Sequence, residues 1–275
     1  MKKKVRGIFL VLLMSMVGFM TACGSDEASS GGDGDSDKKE KLVVGTDAAF
    51  APFEYMDKGE VVGFDIDFLD AVMKEAGYEY DVKNIGWDPL FAAVQGGKEV
   101  DMGISGITIN DDRKETFDFS NPYFESTHMI MFGEGVDIKS AKDLKGLKIG
   151  VQNGTTGQEA AEKIVGQNSP DISKYENNVV AITALKQGQV DAVVTDNTVV
   201  NEYVKNNPQD NFNTVEDPEN FESEFYGLMF PKDSELKADF DKAVKEVIEN
   251  GTYAEIYKEW FGTEPNTDAL LEQAE

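Results

Sequence analysis

The chain has 275 residues, 26 Lys and Arg against 52 Asp and Glu, and a formal net charge of −26. An acidic balance of this size argues against nucleic acid and anionic membrane faces as partners. The single cysteine excludes an intrachain disulfide.

Lys2, Lys3, Lys4 and Arg6 precede an apolar run, Ile8–Met20, which is the layout of a secretion signal. The run is shorter than the about 20 apolar residues that span a bilayer. It ends at Met20-Thr21-Ala22-Cys23, which looks like a lipobox with methionine where leucine is commoner. Cleavage before Cys23 would leave an N-terminus that carries lipid; the alternative is a plain signal peptide with an incidental cysteine. Residues 1–22 hold four of the 26 basic residues and no acid, so the processed chain has 22 basic and 52 acidic residues, or −30. Gly24–Lys41 is mostly Gly, Ser, Asp and Lys, a composition that predicts a flexible tether over 23–40. The remainder is long enough for two modest cores.

Leu42, Val43 and Val44 predict a buried strand over Lys41–Gly45. It runs into Thr46-Asp47 and a non-helical loop to Tyr55, where Pro52 biases Ala51 away from helix. Here Phe50 reads as core or as a ligand-stacking ring, and Asp47 as a cap or as the receptor of a positive group. A short strand, GEVVGFD, follows. Asp65 then suits the cap of an amphipathic helix with Ile66, Leu69, Val72 and Met73 on one face, ending near Gly77. Tyr78–Asn84 is another strand. Asp88 and Pro89 suit the cap and first position of a helix to Gln95. Trp87, just before it, is core or a ligand wall.

The stretch Asp101–Phe124 organises the chain. Val100, Met102 and Ile104 alternate as a strand, which breaks into Ser105-Gly106-Ile107-Thr108. Asn110 is an N-cap candidate, and Arg113 sits just inside. One arginine, two hydroxyls and a glycine backbone at a strand end can clamp a small carboxylate; alternatively, Arg113 is an ordinary surface arginine. The strand expected to follow contains His128, the only histidine. It reads as a satisfied structural residue, since neither a second histidine nor a nearby cysteine suggests a metal set. No metal and no cofactor is expected.

Past Gly133–Gly135, Leu147–Val151 is a strand. Thr156 and Glu159 have capping-box spacing at the start of a helix to Gly166, whose free N–H groups can receive a carboxylate. A weak strand over Ser173–Asn177, a helix over Val179–Gln187 and a strand over Gln189–Val194 follow. Thr195-Asp196-Asn197 caps the next helix, Thr198–Asn206. Phe212–Val215 is a weak strand, and Glu222–Phe230 a single strand crossing back. Leu236–Gly251 and Tyr253–Trp260 are helices, and Thr263–Glu275 a polar tail. Both halves are strand–helix units with polar residues at strand ends. The chain crosses near Tyr123–Thr127 and returns near Phe221–Tyr226. Two α/β lobes on a two-strand hinge, with the ligand cleft between them, are expected, and ligand would close them. The expected domains are a signal peptide over 1–22, the tether over 23–40, one lobe from 41–124 with 226–275, and a second lobe over 125–225.

GTDAAFAPFEY (Gly45–Tyr55), GFDIDFLDAV (Gly63–Val72), GWDPLFAAVQGGKEVD (Gly86–Asp101) and GITINDDRKETFDFSNPYF (Gly106–Phe124) carry a resemblance to a known family. LKGLKIGVQNGTTGQEAA (Leu144–Ala161), VDAVVTDN (Val190–Asn197) and GTYAEIYKEWFG (Gly251–Gly262) extend it. The chain resembles bacterial extracellular solute-binding proteins for polar amino acids, the capturing part of ABC importers, with the periplasmic-binding-protein-like fold. The resemblance implies that Arg113 holds a ligand carboxylate, assisted by Thr108 and the backbone at Ser105, Gly106 and Thr156, with Thr155 in the same set. It implies that Asp196 holds the ammonium and that Phe50 and Trp87 sandwich the side chain. Asp47, Glu54 and Gln152 would meet its distal end. Some glutamine-binding relatives carry lysine at the Gln152 position and histidine at the Thr195 position, and neither is present.

The resemblance therefore points to the arginine/lysine/histidine branch: a monomeric, lipid-anchored binder on the outer face of the cell membrane. It would deliver a basic L-amino acid, arginine first, to ABC permease subunits. A binder of glutamine or another neutral polar amino acid is the alternative, and a dehydratase-type enzyme on the same fold a more distant one.

Overall fold

The computed structural model describes residues 41–274. The expected signal peptide, Cys23 and tether lie outside the described residues.

The first elements are β1 (Leu42–Thr46), β2 (Ala49–Phe50), β3 (Glu54–Asp57), β4 (Glu60–Val62), α1 (Phe64–Ala76), β5 (Tyr80–Asn84) and α2 (Trp87–Gly96). They continue with β6 (Met102–Gly103), α3 (Asp111–Lys114) and β7 (Phe117–Phe119). The chain then passes through β8 (Phe124–Ser126) into β9 (His128–Phe132), β10 (Ile149–Gln152), α4 (Thr156–Val165), β11 (Ile172–Tyr175) and α5 (Asn178–Lys186). After β12 (Ala192–Asp196), α6 (Asn197–Asn206) and β13 (Asn213–Glu216) it returns by β14 (Glu224–Tyr226). It ends with β15 (Met229–Pro231), α7 (Leu236–Glu249), α8 (Thr252–Phe261) and α9 (Thr267–Glu272).

Two five-stranded sheets form the lobes, in the orders β5-β1-β6-β15-β7 and β11-β10-β12-β9-β13. In the first, β1 runs parallel to β5 and β6, and β15 is antiparallel to β6 and β7. In the second, β10 is parallel to β11 and β12, and β9 is antiparallel to β12 and β13. Between them, β8 and β14 pair antiparallel, Phe124 opposite Tyr226 and Ser126 opposite Glu224. This is the expected architecture of two α/β lobes on a hinge.

Side-chain alternation explains the second lobe. Ile130, Phe132, Ala192 and Val194 enter one buried cluster, while Met129, Met131 and Val193 enter another on the opposite face. Both faces of the sheet are covered at its centre, so the inner strands β9 and β12 are mostly apolar and buried, whereas the edge strands β11 and β13 are not. The first lobe buries an aromatic cluster in which Phe53 and Phe64 meet at 6.0 Å and Phe68 stacks on Tyr123 at 4.7 Å.

Several local expectations change. Asp65 does not cap α1. Gly63 takes that place at φ 142, where a Cβ would stand 2.0 Å from the Phe53 carbonyl oxygen. Asp88 does not cap α2, which begins at Trp87 behind Gly86. Thr155, not Thr156, caps α4, its hydroxyl accepting from the Gln158 N–H. Asp196 is the N-cap residue of α6 but makes no side-chain capping bond, and Asn197 Oδ1 accepts from Thr198 N–H instead. The predicted strand Glu222–Phe230 divides into β14 and β15, because the Gly227 N–H turns aside to the Ile107 carbonyl. The polar tail contains α9, which joins the first lobe's core through the buried Leu270. The expected loop to Tyr55 contains β2 and the start of β3, which pair antiparallel and form a ribbon with β4, the expected short strand.

Candidate functional site

A small, largely enclosed cavity lies where strand ends and helix starts from both lobes converge. Asp47 follows β1, Phe50 ends β2, Trp87 opens α2, and Ser105, Gly106 and Thr108 lie on the loop after β6. Arg113 comes from α3. Across the cleft stand Gln152 at the end of β10, Thr155 and Thr156 at the start of α4, Asn178 at the start of α5, and Thr195 and Asp196 at the end of β12. Ligands of open α/β sheets bind at such carboxyl ends of strands.

Arg113 is held on two sides. Asn110 caps α3 by accepting from the Arg113 N–H at 2.9 Å, as its sequence position implied. The guanidinium donates through Nη1 to the Thr108 carbonyl at 2.8 Å. Its carbon lies 5.5 Å from the Trp87 ring centre and 5.3 Å from that of Phe91. Stacking of this kind orients the planar fork. Burial pulls the Arg113 pKa down, opposed by the carboxylates of Glu224, Glu159 and Asp196. The side chain stays charged. With Thr155 acting as the cap, Thr156 is left to face Thr108, their hydroxyl oxygens 3.4 Å apart across the cleft.

Gly106 lines the cavity, but its N–H donates to Asp65 Oδ2 at 2.9 Å. That N–H is not available to a ligand carboxylate, which corrects the expected role of the Gly106 backbone donor. Glycine is required there for another reason. Its φ is +51, and a Cβ would stand 2.5 Å from the Phe50 ring.

Asp196 accepts from the Tyr226 hydroxyl at 2.8 Å and faces the Ser126 hydroxyl at 3.4 Å. Glu224 stands beside it. Burial raises the Glu224 pKa well above the carboxylate range, and Asp196 raises it further. His128 was expected to be a satisfied structural residue. Instead its buried Nε2 has no hydrogen-bond partner among the described residues and lies 3.7 Å from Glu224 Oε1.

At the far end, Asp47 Oδ2 accepts from Gln152 Nε2 at 3.1 Å, and Gln152 Oε1 accepts from Asn178 Nδ2 at 2.8 Å. Burial raises the Asp47 pKa and the Gln152 bond opposes it. Phe50 stacks on Phe53 at 5.3 Å. Trp87 Nε1 donates to the Gly154 carbonyl at 3.2 Å, and Asn153 Nδ2 donates to Asp88 at 3.3 Å. These bonds join the lobes, so the conformation is closed.

Glu54 is the one residue of the expected set that does not line the cavity. It is fully buried behind the wall and accepts a hydrogen bond from Ser105 Oγ, which in turn accepts from the Asp47 N–H at 3.1 Å. Glu54 also meets Asp65. Burial raises both carboxyl pKa values, Asp65 to about 6, and in Glu54 the neighbouring Asp65 adds to the rise. The pair supports the wall from behind, Glu54 accepting from Ser105 Oγ and Asp65 from the Gly106 N–H. Asn178 and Thr195 line the cavity but were not among the expected ligand residues. The available signal was positional: Asn178 follows a strand and opens a helix, as Thr156 does.

Residues 42–263 match the profile of bacterial extracellular solute-binding proteins, family 3. The chain is 40% identical over 224 residues to a probable histidine-binding protein of Neisseria gonorrhoeae, covering 80% of this chain and 83% of that one. It is 35% identical over 256 residues to the arginine-binding extracellular protein ArtP of Bacillus subtilis, covering 92% and 96%. The fold is similar to the crystal structure of the arginine-, lysine-, histidine-binding protein ArtJ from the thermophilic bacterium Geobacillus stearothermophilus. That match has a TM-score of 0.82 and 64% identity, covering 84% of this chain and 100% of that one.

Proposed function

The chain belongs to the bacterial extracellular solute-binding proteins, family 3, and from that premise we propose that it captures a basic L-amino acid, arginine before lysine and histidine. It is a binding protein and not an enzyme. One observation carries the ligand reading. Of the residues lining the cavity, the charged ones are Arg113, Asp47 and Asp196, one cation and two anions. Arginine as a free amino acid is the inverse: one carboxylate, one ammonium and one guanidinium.

Arg113 takes the carboxylate with Thr108 and the N-terminus of α4 alongside. Asp196 takes the ammonium. Asp47 receives the distal cation between the Phe50 and Trp87 rings, where a flat guanidinium stacks better than an ammonium. Glutamine would leave the Asp47 carboxylate uncompensated inside a closed cleft. Contacts from both lobes favour the closed state, since each lobe holds only part of the charge set. Lipid on Cys23 would tether the binder outside the membrane, next to the ABC permease that receives the amino acid. Competition of each common amino acid against labelled arginine tests the reading. Arginine and lysine should compete at lower concentration than glutamine, and the reverse order would overturn it.

A further inference from the structure

The hinge holds a cluster that amino-acid capture does not account for. Register brings it together. His128 opens β9 directly opposite Asp196 at the end of β12. Two residues earlier, Ser126 lies opposite Glu224 on β14. Residues two apart on an extended chain point to the same side, so the imidazole and both carboxylates converge. One ligating atom from each of His128, Asp196 and Glu224 lies within 4.8 Å of the others. His128 is 5% exposed, and among the described residues neither its Nε2 nor Glu224 Oε1 has a hydrogen-bond partner. Two orphaned buried polar atoms 3.7 Å apart are costly unless something satisfies them.

We propose that His128, Asp196 and Glu224 form a divalent transition-metal site, with zinc the best-suited ion, and that metal held there antagonises amino-acid capture. One imidazole and two carboxylates with a position left open are a zinc-type donor set. Bonds of about 2.0–2.1 Å in a tetrahedral arrangement place donor atoms about 3.3 Å apart, so the side chains draw inward by at most about 1.5 Å from the 4.8 Å limit. The Tyr226 hydroxyl on Asp196 Oδ1 supplies an outer-shell bond that orients this ligand. Access exists through a surface cleft lined by His128, Glu224, Glu159 and Lys163. Around the cluster, Arg113 and Lys163 oppose a cation and Glu159 favours it, besides the two ligating carboxylates.

Antagonism follows from Asp196, which cannot ligate a metal and receive an ammonium at full strength together. This part rests on the amino-acid reading above; the metal site itself does not. The test is calorimetric titration of zinc chloride into metal-free, amino-acid-free protein, repeated with His128→Gln and Glu224→Gln. One stoichiometric site, lost in both variants, is expected. Absence of that site, or zinc binding unchanged in both variants, would overturn the proposal and assign the binding to surface carboxylates. Arginine titrated into zinc-saturated protein should bind about tenfold or more weakly, with full recovery on chelation. By reciprocity, arginine should weaken zinc binding by the same factor. An arginine affinity indifferent to zinc would overturn the antagonism. Protein that binds zinc as described but, when metal-free, binds no arginine would instead refute the basic amino-acid reading and leave the metal site standing.

Discussion

Replacing Asp47 by asparagine tests the ligand preference at its source. The substitution preserves shape and leaves an amide oxygen to accept the Gln152 Nε2 bond now seen at 3.1 Å. It removes only the negative charge. A hydrogen bond to a charged group contributes about 1.5–3 kcal/mol, so arginine should bind roughly 10- to 150-fold more weakly. Glutamine brings no charge to that end of the cavity and should lose about twofold or less. Calorimetry with each ligand separates the two. Protonation gives an internal check. Burial raises the Asp47 pKa, so acidification neutralises the carboxylate earlier than for an exposed aspartate. Arginine affinity of the native protein should therefore fall as pH falls through that raised value, while the asparagine variant should show a flatter profile. Equal losses for arginine and glutamine would refute the reasoning and leave Asp47 as scaffolding for Gln152 and Asn178.

Arg113→Ala should weaken every amino acid by about 2–5 kcal/mol, because a closed cleft would hold an unpaired carboxylate; near-native affinity by calorimetry would contradict the clamp. Cys23→Ala should abolish labelled palmitate incorporation, and unchanged labelling would remove the lipid anchor. The Glu54–Asp65 pair should make stability pH-dependent. Burial raises both pKa values, Asp65 from 3.8 to about 6, so the folded state keeps a proton that the unfolded chain has shed. Each contribution is complete below the ordinary carboxylate range; Asp65's is lost as pH rises through about 6, and Glu54's as pH rises through its own raised value. Glu54→Gln should flatten the decline in thermal melts, and curves parallel to the native protein's would count against a proton retained by the buried pair.

Much of the architecture is legible because its signals are local. The apolar run at Leu42–Val44 marks β1, the amphipathic face of Leu236–Ile248 marks α7, and Asn110 three residues before Arg113 marks the cap that positions the clamp. Strand ends followed by helix starts point to the rim where Asp47, Trp87, Thr156 and Asp196 meet. What the sequence by itself determined is thus most of the main strands and helices, their alternation into two lobes and the chemical types gathered at the cleft; α9, the β2–β3 ribbon and the division of β14 from β15 were not legible. Tertiary structure decided where each polar side chain points. Asp47 and Glu54 look equivalent along the chain, yet one faces the cavity and the other lies behind Ser105, because β2 and β3 fold back as a ribbon. Gly106 carries its N–H to Asp65, a bond visible only once α1 packs beneath the loop. His128, Asp196 and Glu224 are distant in sequence and become neighbours only through the registers of β9 with β12 and β8 with β14. Periodicity reports which face of an element is buried, whereas pairing register and packing choose the partner, and neither is written in any single stretch of chain.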